Sequence, residues 1–480
     1  MTVNKKGIGK WTCWLALACL VVPMFGSYFF DDMFSSISYL FSNPSQLQLG
    51  WDSAGYGLYT SGYSVLCVFG GLILCGMLLD KWGVRITGSL FVGLMTAGAA
   101  LVLWAITAGL PPKQSLSIAY VGCMLFGLGS EIAGVAVTRS IARWFKDGPM
   151  AFAMGLQLAI ARLGTAFALV MAPRLVPEKA VPGQAGSDML AAGKDVLAAG
   201  SEMLAAGNDF VYSLSETARP AALGLGLLLL GCILWAVFVA LDAGRFPARS
   251  GKAAKDNDTA SADEGTFRFS DIFKVLSNKR FILISLLCVF FYSSIIAFKK
   301  FAGAILVPRF DIPAEAASWM VSMLPFATVV FAPLFGILVD KLGHGTKWML
   351  VGAVLALIAH LLLAFAPQGV PFWGYTAMVF LGFGYSLVPA AMWPSVPRIV
   401  PDKVLGTAYS LIYWIQNLGL MLFKMIAGVI LGKAAAGSGP VSVELMFVTV
   451  CIVALAISCL LHRIGIDFGQ KNDQKSARTD

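Results

Sequence analysis

Twelve apolar runs, each of 20 residues or more, recur along the chain at 11–30, 54–79, 86–108, 117–138, 149–172, 219–241, 281–305, 317–339, 347–366, 372–392, 404–431 and 441–461. Crossing a hydrocarbon core of about 30 Å takes a helix of about 20 apolar residues. A helix also satisfies its own backbone hydrogen bonds where no water can do so. The pattern predicts an all-α integral membrane protein of twelve spans. No small-residue cleavage pattern precedes Asp31, so the first run reads as a retained helix and not as a signal peptide.

Two longer polar segments punctuate the spans. Between the fifth and sixth, three consecutive heptads begin at Asp188, Asp195 and Glu202 (DMLAAGK, DVLAAGS, EMLAAGN). Their apolar pairs favour an amphipathic helix, while one glycine per repeat costs about 1 kcal/mol relative to alanine. This reads as a loosely docked helical insert, a tolerated low-complexity expansion in preference to a lid or partner-binding arm. Between the sixth and seventh spans, AKDNDTASADEGT is disorder-like, and Phe267 to Leu276 reads as a short amphipathic helix on the membrane surface. The expected organisation is an N-terminal six-helix half over 1–241 with an external insert near 176–218. A cytoplasmic linker follows over 242–279, then a C-terminal six-helix half over 280–465 and a cytoplasmic tail over 466–480.

Composition agrees with the pattern: 58% hydrophobic against 13% charged excludes an ordinary soluble domain. Of the 35 Lys and Arg, twenty-four fall on the side of the N-terminus, seven on the other side and four within spans. Basic residues mark the cytoplasmic loops, so both termini are expected to be cytoplasmic. The net charge of +9 expresses that bias, and nucleic acid need not be invoked. All nine cysteines lie in or beside spans without metal-ligand spacing, so neither a disulfide framework, a metal nor a cofactor is expected. No nucleophile, base and oxyanion arrangement points to an enzyme.

Between the second and third spans stands Gly76-Met77-Leu78-Leu79-Asp80-Lys81-Trp82-Gly83-Val84-Arg85, and Gly336-Ile337-Leu338-Val339-Asp340-Lys341-Leu342-Gly343 follows the eighth span 260 residues later. Both copies resemble the loop signature of the major facilitator superfamily, and their spacing suits a duplicated six-helix unit. The resemblance implies a twelve-helix major facilitator fold with two pseudo-symmetric six-helix halves, working by alternating access of the rocker-switch kind. Gly76, Asp80, Lys81, Gly83, Arg85, Gly336, Asp340, Lys341 and Gly343 become gating candidates, although Gly345 replaces the final basic residue of the second copy. Physically, glycines allow helices to approach closely, and Asp80 can sit at the N-terminus of the eleventh span, near Val404 to Gly406. The alternative is a membrane-surface turn whose charges only set topology.

Ionisable groups inside spans are costly and mark function. Glu131 lies about 12 Å along its helix from Arg139, and Arg162 about 20 Å from Pro149, at 1.5 Å per residue. The acid and the base thus bracket the midplane on neighbouring helices, as a substrate site does or as a helix-holding ion pair does. Lys299 and Lys300 lie late in the seventh span, and one of them is a candidate for the cavity. Lys424 is expected to snorkel to the interface. His360 is expected to be a hydrogen-bonded packing histidine rather than a proton carrier. Asp31 and Asp32, after an aromatic belt, read as a solvated helix end or as a cation-attracting vestibule.

A narrower resemblance rests on Phe25-Gly26-Ser27-Tyr28, Gly129-Ser130-Glu131, Trp144-Phe145-Lys146, the stretch Gly155 to Gly164, Trp393-Pro394-Ser395-Val396-Pro397, Leu405 to Tyr409 and Ile415-Gln416-Asn417-Leu418-Gly419. These look like the family named major facilitator superfamily domain-containing protein 1, over most of the membrane region but not the heptads or termini. Its animal members are lysosomal transporters releasing dipeptides to the cytosol. The resemblance therefore implies dipeptide transport, with Glu131 and Arg162 matching substrate-site charges. A zwitterionic dipeptide suits that pair, an acid for its ammonium and a guanidinium for its carboxylate. Tyr28, Gln157, Trp393, Trp414, Gln416 and Asn417 are candidate lining residues. The expected partners are a dipeptide-like small molecule and membrane lipid, with an accessory subunit left open. The N-terminal MTVNKKGIGK shows no acidic dileucine, and no Asn-x-Ser/Thr lies externally, which favours a bacterial inner membrane. The competing functions are a proton-coupled carrier of organic anions or drugs and a non-transporting membrane scaffold or sensor.

Overall fold

The computed structural model describes residues 10–146, 149–177, 179, 211–246, 275–401, 405–434 and 438–465. The heptads, the amphipathic stretch of the linker as far as Lys274 and the C-terminal tail fall outside these residues. The helices are α1 (Lys10–Asp32), α2 (Ser53–Leu66), α3 (Leu72–Thr107), α4 (Pro112–Trp144), α5 (Met150–Leu175), α6 (Leu214–Arg245), α7 (Lys279–Lys300), α8 (Ala302–Phe310), α9 (Ala314–Leu342), α10 (Gly345–Phe365), α11 (Pro371–Met392), α12 (Val396–Ile399), α13 (Leu405–Lys433) and α14 (Gly439–Ile464).

Eleven helical stretches among the described residues are long and apolar enough to cross a membrane unaided. The twelfth expected span, the second in the chain, is interrupted. Its α2 is capped by Asp52, which accepts from the Gly55 amide at 2.6 Å, and it passes through a π-helical turn at Cys67–Gly71, where Gly70 takes a φ of 94°. It then continues into α3 as far as Gly83, whose φ of 75° separates the second span from the third. Gly343 repeats the device at the end of α9, with a φ of 65°. Both are the second glycine position of the duplicated loop, and only glycine enters that conformation without steric cost. A Cβ at Gly83 or at Gly336 would meet no atom within 4 Å. The expectation of close helix approach is corrected at these two positions: Gly83 turns the chain, and Gly336 packs against nothing.

Apolar residues such as Leu229, Ile233, Val330, Ile337 and Ile452 point outward, as lipid-facing positions do, while the buried core runs between helices. One face of the bundle carries both described chain ends. There Asp242, at the end of α6 and 3% exposed, gathers neighbours from α3 and α4. Arg85 Nε donates to its Oδ2 at 2.6 Å and Trp144 Nε1 to its Oδ1 at 2.8 Å, while Arg143 stands 3.7 Å away over the Phe246 ring. Arg85, a gating candidate, is thereby held within the N-terminal half. Removing a buried partner leaves an uncompensated charge, so Asp242→Ala is expected to cost about 3 kcal/mol. Thermal unfolding of the purified variant checks this, and an unchanged midpoint would refute it.

On the opposite, distal face, α6 starts with a reciprocal cap. Ser213 Oγ accepts from the Glu216 amide at 3.3 Å, and the Glu216 carboxylate accepts from the Ser213 amide at 3.1 Å. The halves meet along α2 with α13 and α5 with α9. In the C-terminal half His360 and Glu444, both fully buried, join α10 to α14 through a 2.8 Å hydrogen bond, the packing role expected of His360.

Candidate functional site

Glu131 stands halfway along α4 and is half-buried. Its Oε1 accepts from Tyr63 of α2 at 3.1 Å, and the same hydroxyl reaches Ser130 Oγ at 3.2 Å. Ser130 in turn bonds Ser27 of α1. Two tight glycine contacts set the depth of this arm. A Cβ at Gly127 would come within 2.0 Å of the Tyr63 carbonyl oxygen, and one at Gly129 within 2.5 Å of the Met95 amide. The helices beside Glu131 can approach only because those side chains are missing.

Arg162 on α5 is the opposite arm, also half-buried. Its NH1 donates to Tyr385 of α11 at 3.0 Å, and its guanidinium lies 5.3 Å and 5.7 Å from the Tyr385 and Tyr28 ring centres. Among the described residues no ion pair joins Arg162 to any carboxylate, Glu131 included. The acid and the base are therefore not a helix-holding pair. Each is held by neutral phenols, which orient a charge without cancelling it.

Aromatic side chains continue from Arg162 into the C-terminal half. Tyr385 meets Tyr292 edge to face at 6.1 Å, Tyr292 OH accepts from Trp393 Nε1 at 3.0 Å, and Trp393 stacks on Tyr413 at 5.1 Å. Of the expected lining residues, Tyr28 reaches Arg162 and Trp393 belongs to this aromatic path. Trp414 crosses between the halves, donating to the Val68 carbonyl in the π-helical turn. Gln416 and Asn417 are buried in helix packing: Gln416 accepts from Cys288 at 3.4 Å, and Asn417 Nδ2 donates to the carbonyl of Tyr413 on its own helix. Gln157 is buried on α5, toward the face that carries the chain ends.

The distal end is sealed by charge. Asp32, 1% exposed, accepts from Lys299 Nζ at 2.6 Å, from Lys300 Nζ at 2.9 Å and from Thr165 Oγ1 at 2.8 Å. Lys300 also pairs with the Asp31 carboxylate at 2.7 Å and bonds the Asp31 carbonyl oxygen. Asp32 is thus neither a solvated helix end nor an open vestibule. Beside it Lys424 is 2% exposed and donates to the Thr60 carbonyl at 2.8 Å, which corrects the expectation that it snorkels. The backbones of α2 and α13 touch there, a Cβ at Gly57 falling 2.8 Å from the Gly428 Cα. A small cavity runs between Arg162 and this seal, lined by Thr165, Lys299 and Tyr385.

The loop candidates are spread differently. Lys81, Asp340 and Lys341 are exposed, and Arg85 serves Asp242. The side chains of Asp80 and Leu405 to Thr407 and all of 402–404 lie outside the described residues, and so does the contact expected between them. Reading the sequence missed Tyr63, Tyr292 and Tyr385. Their signal was tyrosine beside glycine or serine in otherwise apolar spans, as in SGYS and GFGYS. It also left the two acids ending the first span unmatched with the two lysines ending the seventh, although the duplication makes those spans counterparts.

Comparison with known proteins places this geometry. The family model described as Major Facilitator Superfamily matches residues 24–180 and 300–476. The lysosomal dipeptide transporter MFSD1 of Mus musculus is 28% identical over 455 residues, covering 93% of this chain and 85% of that protein. Among solved structures, a bacterial homolog of the human lysosomal transporter Spinster superposes with a TM-score of 0.66 at 15% identity, covering 96% of this chain and 99% of that one. The xylose transporter XylE of E. coli gives 0.65 at 13% identity, covering 96% and 97%.

Proposed function

The chain belongs to the Major Facilitator Superfamily, and from that premise we propose that this secondary transporter moves small zwitterions, dipeptides foremost, by alternating access between its two six-helix halves. The observation that carries the reading is the uncancelled pair, Glu131 and Arg162, facing the same interior from adjacent helices with only phenols as partners. Glu131 takes the peptide ammonium, with Tyr63 holding the carboxylate in place. Arg162 takes the peptide carboxylate through its planar fork, steadied by Tyr28 and Tyr385. Trp393 and Tyr413 supply apolar surface for side chains, which suits a carrier that reads the peptide ends more than the side chains. That a relative aligned over most of this chain is described as a dipeptide transporter supports the same class.

The seal at Asp32 and Lys300 closes the bundle opposite the face that carries the chain ends. Following the lysine and arginine distribution, that face is cytoplasmic. Which membrane holds the protein is likewise a proposal, and the bacterial inner membrane is retained beside relatives described as lysosomal.

Organic anions form the second reading, since Arg162 alone suffices to bind a carboxylate. Purified protein decides between them. A dipeptide present at 100 times its Kd is expected to raise apparent stability by about 2.7 kcal/mol, while an N-acetylated peptide or a dicarboxylate at the same concentration leaves it nearly unchanged. Uptake of the same dipeptide into liposomes is expected to follow. Stabilisation by dicarboxylates alone would transfer the protein to the anion reading, and stabilisation without uptake would make it a sensor.

A further inference from the structure

The two lysines that end α7 are not equivalent. An ammonium carries three donors. Lys300, 1% exposed, uses all three, on the Asp31 carboxylate, the Asp31 carbonyl and Asp32 Oδ1. Lys299, 7% exposed, uses one among the described residues, on Asp32 Oδ2. It also lines the small cavity shared with Arg162, and Lys300 does not. Thr165, three residues on from Arg162, donates to the same Oδ2 that Lys299 uses. One side of the substrate site and one partner of the distal seal are therefore a helical turn apart.

We propose that Lys299 is a second carboxylate-binding residue of the transport site, one that leaves Asp32 for the substrate carboxylate seated on Arg162. This rests on the zwitterion reading above. The exchange is electrostatically balanced. Asp32 keeps Lys300 at 2.9 Å and Thr165 at 2.8 Å, so no carboxylate is left buried without a partner, and the incoming carboxylate brings its own charge to Lys299. Apart from Thr165 and Tyr385 the cavity walls around the pair are apolar, with Ile295 and Leu324 among them, so a charged contact made there is poorly screened by water. The consequence is specificity that a single arginine does not give. Ligands with a free carboxylate loosen the distal seal as they bind, and neutral-ended ligands leave it shut.

The test compares the full chain with Lys299→Met, Lys299→Arg and Lys300→Met, each titrated with a dipeptide and with the same dipeptide as its C-terminal amide. Wild type is expected to favour the free acid by more than tenfold. Lys299→Met narrows that preference about tenfold while amide affinity holds, and Lys299→Arg keeps it. Lys300→Met lowers the melting temperature but keeps the preference of whatever folded protein remains. If Lys299→Met proves unstable, Lys299→Gln serves in its place. An unchanged acid-to-amide ratio in the neutral Lys299 variant overturns the inference while leaving Arg162 as the carboxylate residue. A wild type without any preference for the free acid overturns the inference together with the function from which it starts.

Discussion

Replacing Arg162 by alanine is expected to weaken dipeptide binding about 100-fold while changing stability by only about 1 kcal/mol. The first figure is the loss of two charge-assisted hydrogen bonds to a carboxylate, together about 3 kcal/mol, with tenfold in affinity for each 1.4 kcal/mol. The second follows from what Arg162 touches in the protein: one neutral hydroxyl at 3.0 Å and two ring faces. Arg162→Lys keeps the charge and loses the fork, so about tenfold weaker binding is expected. Glu131→Gln is expected to penalise peptides with a free amino end and to spare N-acetylated peptides, which already bind wild type poorly. The decisive measurement is a double-mutant cycle on Glu131 and Arg162 scored for both melting temperature and affinity. A structural pair would show strong coupling in stability, each single loss being repaired by the second. A substrate site shows little coupling in stability and loses affinity at each step. Rescue of both properties in the doubly neutral variant would end the substrate assignment, because neither peptide end would then have a charged partner.

How much of this was legible beforehand depends on how local the cause is. The spans were legible because a run of apolar residues has one stable solution in a bilayer, whereas the break in the second comes from glycines whose positive φ leaves no periodic trace. The duplicated loop was recognisable, but its glycines were given the wrong task. Close approach occurs at Gly127, Gly129, Gly57 and Gly428, whereas Gly83 and Gly343 bend the chain. Glu131 and Arg162 stood out because mid-span charges are rare. Their phenolic partners did not, since Tyr63 and Tyr385 come from helices 68 and 223 residues away. Lys424 illustrates the limit best. A lysine late in a span snorkels unless another helix brings an acceptor to it, and the Thr60 carbonyl that does so arrives from the other half of the protein.

The same long-range origin makes the distal seal the most sensitive structural element, and Asp32→Ala is expected to open it. The change leaves Lys299 without a carboxylate and Lys300 with Asp31 alone. Losing one partner of a buried charge group costs about 3 to 5 kcal/mol in the state that buries it. A distally open state returns the lysines to water and carries no such penalty, so the equilibrium between states shifts by roughly 100-fold or more. Ser38 reports the shift. It is 1% exposed, receives the Ala304 amide at 3.0 Å across the seal, and as Ser38→Cys is shielded while the seal holds. A membrane-impermeant maleimide added from the distal side is expected to label Ser38→Cys at least tenfold faster with Asp32→Ala than without it, above the background of the native cysteines. Adding Lys299→Met to Asp32→Ala removes the orphaned ammonium, so labelling slows again as the pair of Lys300 and Asp31 closes the face. If Asp32→Ala folds with wild-type stability and the labelling rate does not move, the charge cluster is not what holds the distal face shut, and the contact of α2 with α13 at Gly57 and Gly428 becomes the element to test.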